Sequence, residues 1–448
     1  MKKWPAGARV YPGLLLILVV PVVLPLFKPG LWASHDPFHH LFRAFDLDYT
    51  LRGREIYPRW LPNLGFFYGY PVTNFYSPLG YYFMVFLHWL GLGFISSLKA
   101  TFGLSFILAA FAAYLWARDV FGEEAGLWAA VVYTYFTYHI ANAYVRAALA
   151  EHLAFVFFPL ILWLVGKISG GKDKGPALLL ALGVAGLIFT HNLSAFMFAP
   201  FALVYATAAV LSNPPGRGKA FLLLLAGAGL GIALTAFYWL PALAETRWIR
   251  AGQVAPTVTE PLRFLLPLSK LVLFSPIHKY PVSQHHLSSW QVLIVVCGLS
   301  SVALQWRSLD LGKKSLVLAA ALSVVIATFM NTTLSSFIWL HFKPLTFLQF
   351  PWRFQAMVGL FGSFLAAPLV CFLGRRLPEP VRLLILIFVA AGLAFNALAG
   401  IKWEPLVWPE TGKPVRLEKE VNFHSMAQYD YQTALWARLW GGPWLLEY

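Results

Sequence analysis

Three features of this 448-residue chain predict an all-α polytopic membrane protein. Only 12% of its residues are charged, about half of the roughly 25% usual in soluble domains. Its hydrophobic residues, 59% of the total, gather in runs long enough to cross a hydrocarbon core, separated by short polar stretches. Many of its basic residues sit in those short stretches, where positive charge sets membrane orientation. A soluble enzyme and a disordered scaffold are thereby excluded. The formal net charge of +15 does not point to nucleic acid, because it is spread over loops and forms no single basic face. Cys297 and Cys371 both lie inside apolar runs, so there is neither a disulfide framework nor a cysteine metal site.

Lys2, Lys3 and Arg9 precede an apolar run over residues 14–27. No small-residue cleavage pattern follows it, so it reads as an uncleaved first helix. Later apolar runs fall near 98–118, 125–142, 147–166, 176–190, 194–211, 220–241, 289–306, 315–330, 352–373 and 383–399. One more, 78–94, is short and aromatic and contains His88. Basic clusters occur at Lys167/Lys172/Lys174, Arg217/Lys219, Arg307/Lys313/Lys314 and Arg375/Arg376/Arg382. Placing all of these and the N-terminus in the cytoplasm satisfies the charge bias. The alternation then works only if 78–94 lies along the interface instead of crossing. The result is a multi-pass plasma-membrane protein of about eleven transmembrane helices, with its C-terminus external. Its external segments are 28–97, 242–288, 331–351 and 400–448, plus turns near 144–146 and 191–192, so the first and fourth external loops are large. The internal loops are too short to build a site, and any chemistry is expected on the outer face.

The first external loop opens on His35-Asp36-Pro37, followed by His39, His40, Arg43 and Asp46. On a helix, positions 36, 40, 43 and 47 share one face, as do 39, 43 and 46. Asp36 or Asp46 is then positioned to act as a general base. Asp36 before Pro37 is equally a helix N-cap and first-turn pair; the two readings are compatible. Further along, Tyr57, Arg59, Trp60 and Tyr68 combine arginine, aromatic rings and proline-fixed turns. That mixture suits a saccharide or a phosphate headgroup through stacking and bidentate contacts. The alternative is an aromatic interface belt with snorkelling arginines.

Charge near a membrane span is informative, because a central Arg or Asp costs about 2.5–3.5 kcal/mol on insertion scales. Arg146 and Glu151 start one outer helix end, His191 turns between two others, and Arg353 begins the 352–373 run. Each either faces a polar site or snorkels to water; a guanidinium facing a site can hold phosphate as a fork. His278, His285 and His286 match no recognised metal spacing, and His35, Asp36, His39 and His40 are somewhat better ligand candidates. No glycine-rich phosphate cradle, CxxC, HExxH or nucleophile elbow is present.

These stretches, in this order, resemble the GT-C superfamily of membrane glycosyltransferases, whose members take sugars from polyprenyl-phosphate carriers at the external face. More narrowly, the chain is similar to the membrane proteins called "6-pyruvoyl-tetrahydropterin synthase-related". The resemblance rests on His35-Asp36 through Arg43, Tyr57-Pro58-Arg59-Trp60, Phe75-Tyr76-Ser77-Pro78-Leu79, Arg146 with Glu151, Thr190-His191-Asn192, Trp239-Leu240-Pro241-Ala242-Leu243 and Phe350-Pro351-Trp352-Arg353. No pterin-enzyme zinc site accompanies it. The resemblance implies that Asp36 stands where the superfamily has its first-loop catalytic carboxylate. Pro37 replaces the second acidic residue that many members carry there, which argues against metal assistance and makes Asp46 or Glu151 the candidate partners.

The resulting expectation is a GT-C-like catalytic module over 1–288, C-terminal transmembrane helices over 289–400, and an external tail over 401–448 that starts a longer C-terminal domain. The expected activity moves a sugar from a polyprenyl-phosphate-linked donor to a lipid or protein acceptor. Asp36, Asp46 and Glu151 are the candidate catalytic carboxylates. Arg146, Arg353, His39, Arg43 and His191 are candidates for the donor phosphate, and Tyr57, Arg59, Trp60 and Tyr68 for the sugar and acceptor. No metal ligand is assigned, though a divalent cation is left open, and no nucleic-acid partner is expected. The rival reading is a non-catalytic lipid or glycolipid transporter, or a structural subunit; transporters favour related halves and midplane sites, neither of which is evident.

Overall fold

Without water to pair with, backbone groups in a bilayer must close their hydrogen bonds within the chain, which favours helices. The computed structural model follows that rule and describes residues 10–171, 175–212, 216–248, 261–273, 285–399, 405–407 and 421. In chain order the helices are α1 (Val10–Val23), α2 (Pro37–Arg52), α3 (Val72–Phe75), α4 (Leu79–Trp89), α5 (Phe94–Phe121), α6 (Glu123–Thr134), α7 (Thr137–Tyr144), α8 (Leu149–Gly170), α9 (Gly175–Thr190), α10 (Asn192–Leu211), α11 (Arg217–Leu234) and α12 (Ala236–Glu245). They continue as α13 (Leu268–Leu271), α14 (Ser289–Gln305), α15 (Leu311–Met330), α16 (Ser336–His341), α17 (Gln355–Gly374) and α18 (Glu379–Ala399). A two-residue parallel pair, Val272–Leu273 with Leu287–Ser288, is the sheet among the described residues.

Eight helical stretches among the described residues are long and apolar enough to cross a membrane. α6, α9 and α18 fall on three further runs of the sequence. α4, with 11 residues, is about 16 Å long at 1.5 Å per residue, roughly half a hydrocarbon core; the 78–94 run is thus too short a helix to span. Two runs that read as continuous are broken. The 125–142 run splits between Thr134 and Thr137, and His139 Nδ1 lies 3.2 Å from the Tyr133 carbonyl at the break. The 220–241 run splits at Thr235, and the Ile232 carbonyl there accepts from Trp239 Nε1 at 2.9 Å and from the Thr235 hydroxyl at 3.0 Å. Each break is tolerated because side chains satisfy the freed carbonyl.

Small residues set the close approaches. Gly227 and Gly231 of α11 face Ala177 and Ala181 of α9, and a Cβ on either glycine would sit within 2.7 Å of the opposing alanine's carbonyl oxygen. This small-xxx-small pairing brings two backbones together where lipid provides no hydrophobic drive for association.

Two ends of the bundle are distinct. At one, Arg382 pairs with Glu124, Tyr11 donates to Glu379 at 2.9 Å, and Lys167 pairs with Asp119, gathering the basic connections. At the other, Trp32 donates to the Ala143 carbonyl at 3.2 Å, Ser77 to that of Ile188 at 3.0 Å, and Leu406 N–H to that of Leu31 at 3.0 Å. The long connections therefore share the end opposite the basic loops. One hydrophobic core runs from Leu15 to Val421; α17 packs against α5, α6, α7 and α8 and α15 against α10, while α14 packs on α17.

Candidate active site

Pro37 opens α2 because its fixed φ suits a first helical turn. Asp36 occupies the N-cap position with φ −115° and ψ 10°, yet its side chain makes no capping hydrogen bond. The capping reading thus describes its backbone only. The backbone N–H of His35 donates to Val145 O at 3.3 Å and that of Asp36 to Arg146 O at 3.1 Å. These two bonds fix the start of α2 onto the connection between α7 and α8.

A second tie reinforces it. His40 Nε2 lies 2.8 Å from the Ala147 carbonyl, and its Nδ1 3.0 Å from the Tyr81 hydroxyl. With Nε2 as the donor, Nδ1 accepts from Tyr81, whose oxygen in turn accepts from Arg43 Nη1 at 3.2 Å. Ala147 has φ +50°, an uncommon conformation for a residue with a side chain. Arg43 is 1% exposed, lies 4.9 Å from the Tyr76 ring centre, and has no hydrogen-bond partner for Nε or Nη2 among the described residues.

Glu151, at the start of α8, is the centre of the buried charge cluster. Its Oε2 accepts from Arg146 Nη1 at 2.8 Å and from Arg353 Nη1 at 2.7 Å, while Tyr138 donates to Oε1. Arg146 Nη1 also reaches Asn142 Oδ1 at 2.6 Å, and Arg353 Nη2 reaches Gln349 Oε1 at 3.0 Å. Gln349, like Ala147, has positive φ, +62°; strained backbone therefore brackets both arginines, as is common where function constrains geometry. His191 is buried nearby, its Nδ1 2.6 Å from Ser194 Oγ.

Asp36 is half-buried, and burial raises its carboxyl to about 6 against the opposing pull of Arg146, Arg43 and Arg353. These three guanidinium groups, from α2, the α7–α8 connection and the turn before α17, all favour its charged form. A carboxylate of that acidity, not engaged in a hydrogen bond or ion pair among the described residues, is suited to accept a proton near neutral pH.

Other candidate residues go elsewhere. Asp46 accepts from Asn63 through its backbone N–H at 3.0 Å and its side-chain amide at 2.5 Å, anchoring the loop after α2. Glu151 is fully engaged by its arginines and Tyr138. Arg59 donates to Asn74 at 2.8 Å and pairs with Glu245, and the Tyr57 hydroxyl donates to Thr73 O at 3.1 Å. Arg59 thus ties the first loop to α12, Tyr57 closes the loop on itself, and neither meets the arginine cluster through any described contact. Trp60 is 51% and Tyr68 85% exposed, so neither is a wall of an enclosed subsite. His39 is half-buried on α2 beside His40. His285 stacks edge-on against Trp352 at 4.3 Å, and the charge of Arg146 helps hold its imidazole down at about 4, after burial itself and His286. His278 lies outside the described residues.

Tyr138, Asn142 and Gln349 were not among the expected site residues. A signal existed for the first two: with Arg146 they recur every fourth position at the end of an apolar run.

The donor set does not fit a divalent cation. Asp36 faces three guanidinium groups, Pro37 supplies no second carboxylate, and both Glu151 oxygens are occupied. Among the described residues no three His, Cys, Asp or Glu groups gather in a metal-binding arrangement.

The fold has solved counterparts. The arabinofuranosyltransferase AftD from Mycobacteria matches with a TM-score of 0.55 at 15% identity, over 87% of this chain and 27% of AftD. The oligosaccharyltransferase of Archaeoglobus fulgidus, tethered to an acceptor peptide, matches at 0.54 and 14% identity, over 88% of this chain and 55% of its own. The fold is therefore that of the GT-C glycosyltransferases, and this chain spans about a quarter and about half of those two proteins. An uncharacterized protein of Lactococcus lactis subsp. cremoris (strain MG1363) is 23% identical over 246 residues, covering 52% of this chain and 39% of that relative. The family model for "6-pyruvoyl-tetrahydropterin synthase related domain; membrane protein" matches residues 73–403. That segment contains Arg146, Glu151, His191 and Arg353 and begins after Asp36. With most of its length matched, the chain belongs to this 6-pyruvoyl-tetrahydropterin synthase-related family of membrane proteins.

Proposed function

We propose that this protein is a membrane glycosyltransferase that moves a sugar from a polyprenyl-phosphate-linked donor to a lipid or protein acceptor at the external membrane face. The observation that carries the reading is the uncapped Asp36 carboxylate, raised to about 6 and facing Arg43, Arg146 and Arg353. In the proposed step an acceptor hydroxyl attacks the anomeric carbon and inverts it. Its proton passes to Asp36 while the bond from anomeric carbon to phosphate oxygen breaks. The electron pair leaves with the phosphate, whose growing charge the guanidinium groups stabilise in a site already organised to receive it. Glu151 offsets part of the positive charge and holds Arg146 and Arg353 in place, with the net excess favouring an anionic leaving group.

An apolar groove of about 720 Å³ supports a lipid-linked substrate. It lies among α8, α9, α10 and α11, with Asn192 at one end and Leu211 and Phe221 at the other. The 20 residues of α10 make it about 30 Å long, comparable to a hydrocarbon core, and its Asn192 end adjoins His191. An extended prenyl chain fits such a channel while its phosphate stays at the polar end.

The test is to incubate purified protein with a panel of radiolabelled polyprenyl-phosphate sugars and lipid extracts, with and without chelator. Transfer that falls by about a hundredfold or more in Asp36→Asn, with an unchanged melting temperature, is the expected result. Turnover in Asp36→Asn within a few-fold of wild type would remove the base assignment, and no transfer with any donor would favour a non-catalytic lipid-handling role.

A further inference from the structure

Tyr81 reaches the charge cluster from α4, a helix that carries none of the residues assigned above. It is buried, and its hydroxyl lies 3.0 Å from His40 Nδ1 and 3.2 Å from Arg43 Nη1, with a further hydrogen bond to Tyr76. The direction of these bonds is fixed by His40. A carbonyl can only accept, so the 2.8 Å contact with Ala147 O puts the ring proton on Nε2. The backbone N–H of Leu149 is the longer neighbour of that nitrogen, at 3.3 Å. Burial keeps the imidazole neutral, lowered to about 3, which leaves Nδ1 as an acceptor. The Tyr81 proton therefore points at His40, and its lone pairs face Arg43. Donation runs one way, from Arg43 to Tyr81 to His40 to the Ala147 carbonyl. Arg43 has little else to hold it. Among the described residues it has no ion pair, its Nε and Nη2 find no partner, and the Tyr76 ring lies 4.9 Å from the guanidinium. Arg43 also shares a face of α2 with Asp36.

We propose that Tyr81 is a positioning residue for the substrate phosphate: its hydroxyl holds the Arg43 guanidinium where the phosphate of a lipid-linked donor meets that charge. The identity of the ligand rests on the transfer reaction proposed above. Tyr81 acts through Arg43 and not on the substrate. A hydroxyl suits this task better than a carboxylate. Glu151 orients Arg146 and Arg353 but offsets their charge, whereas a neutral acceptor orients a guanidinium and leaves its charge whole for an anion. The site thus supports its arginines in two ways, one neutralising and one not. Without the hydroxyl, Arg43 stays buried with no hydrogen bond and His40 Nδ1 is stranded, so the guanidinium has nothing to fix its place.

Native mass spectrometry of the intact protein from nanodiscs holding equal amounts of undecaprenyl phosphate and undecaprenol tests the role. The prenyl chain is common to both, so the ratio retained reports the phosphate alone. Only folded, lipid-bound protein is counted, and a general loss of stability cancels from the ratio. Wild type is expected to favour undecaprenyl phosphate. Tyr81→Phe should lower the ratio about tenfold, the scale of a hydrogen bond to a charged group, and Arg43→Gln at least as much. The double variant should lose no more than Arg43→Gln alone, because residues acting through one contact are not additive. Additive losses, or an unchanged ratio in Tyr81→Phe beside a lowered one in Arg43→Gln, would overturn the positioning role and leave the transfer reaction standing. Equal retention of the two lipids by wild type would overturn the role together with its ligand. The expected ratios without turnover of any lipid-linked sugar would uphold the role and remove the reaction.

Discussion

Asp36 differs from the other carboxylates around the site in having no side-chain hydrogen bond or ion pair among the described residues. Glu151 is held by two guanidinium groups and Asp46 by Asn63, whereas Asp36 faces its arginines without an ion pair. Its pKa, raised to about 6 by burial, sets a sign: the base is active when deprotonated, so transfer should rise about tenfold per pH unit below 6 and level off above it. A single-turnover pH–rate profile checks this, and a flat profile from pH 5 to 8 would exclude Asp36 as the titrating base. Asp36→Asn should lower the rate by about 10²–10⁴-fold, the usual contribution of general base catalysis. Glu151→Ala belongs to stability instead. It leaves Arg146 and Arg353, 5% and 4% exposed, without their shared counter-charge, at a cost of about 3–5 kcal/mol. A lowered melting temperature in detergent is the readout, partly restored by adding Arg353→Met.

At the scale of helices, the pairing of α9 with α11 makes a sharp prediction. A Cβ at Gly231 would lie 2.6 Å from Ala181 O and 2.7 Å from Val184 Cβ, and that carbonyl belongs to a helix backbone that cannot yield. Gly231→Leu should destabilise by about 1–3 kcal/mol, as overpacking does. Gly229→Leu, with nothing near its Cβ position, should melt like wild type. Most helices were legible as apolar runs, because the hydrocarbon demands both length and low charge. The breaks at Thr134–Thr137 and at Thr235 were not, since they depend on His139 and Trp239, just past each break, folding back onto the freed carbonyls.

For the molecule as a whole, the groove along α10 and the charge cluster at its polar end make one functional prediction together. Ala199→Trp, which fills the groove, should raise KM for a full-length polyprenyl donor at least several-fold. A donor with only two or three prenyl units should be unaffected; equal loss on both would place the chain elsewhere. Because the donor set repels a cation, chelator should leave the rate unchanged, and restoration by manganese or magnesium would contradict the charge argument.

Composition, the spacing of apolar runs and the placement of lysines and arginines were enough to establish a helical membrane protein with its polar chemistry at one face. Those properties are local: a span is apolar wherever it sits, and a basic loop biases orientation whatever packs around it. Residue roles were not local. Whether Asp36 capped a helix or faced a site, and whether Glu151 was a base or a clamp, depended on which side chains arrived from positions more than a hundred residues away. Arg353 reaches Glu151 across 202 residues, and Arg59 reaches Glu245 across 186. Only the tertiary packing that brings the turn before α17 onto the start of α8, and α12 onto the first loop, determined those partnerships.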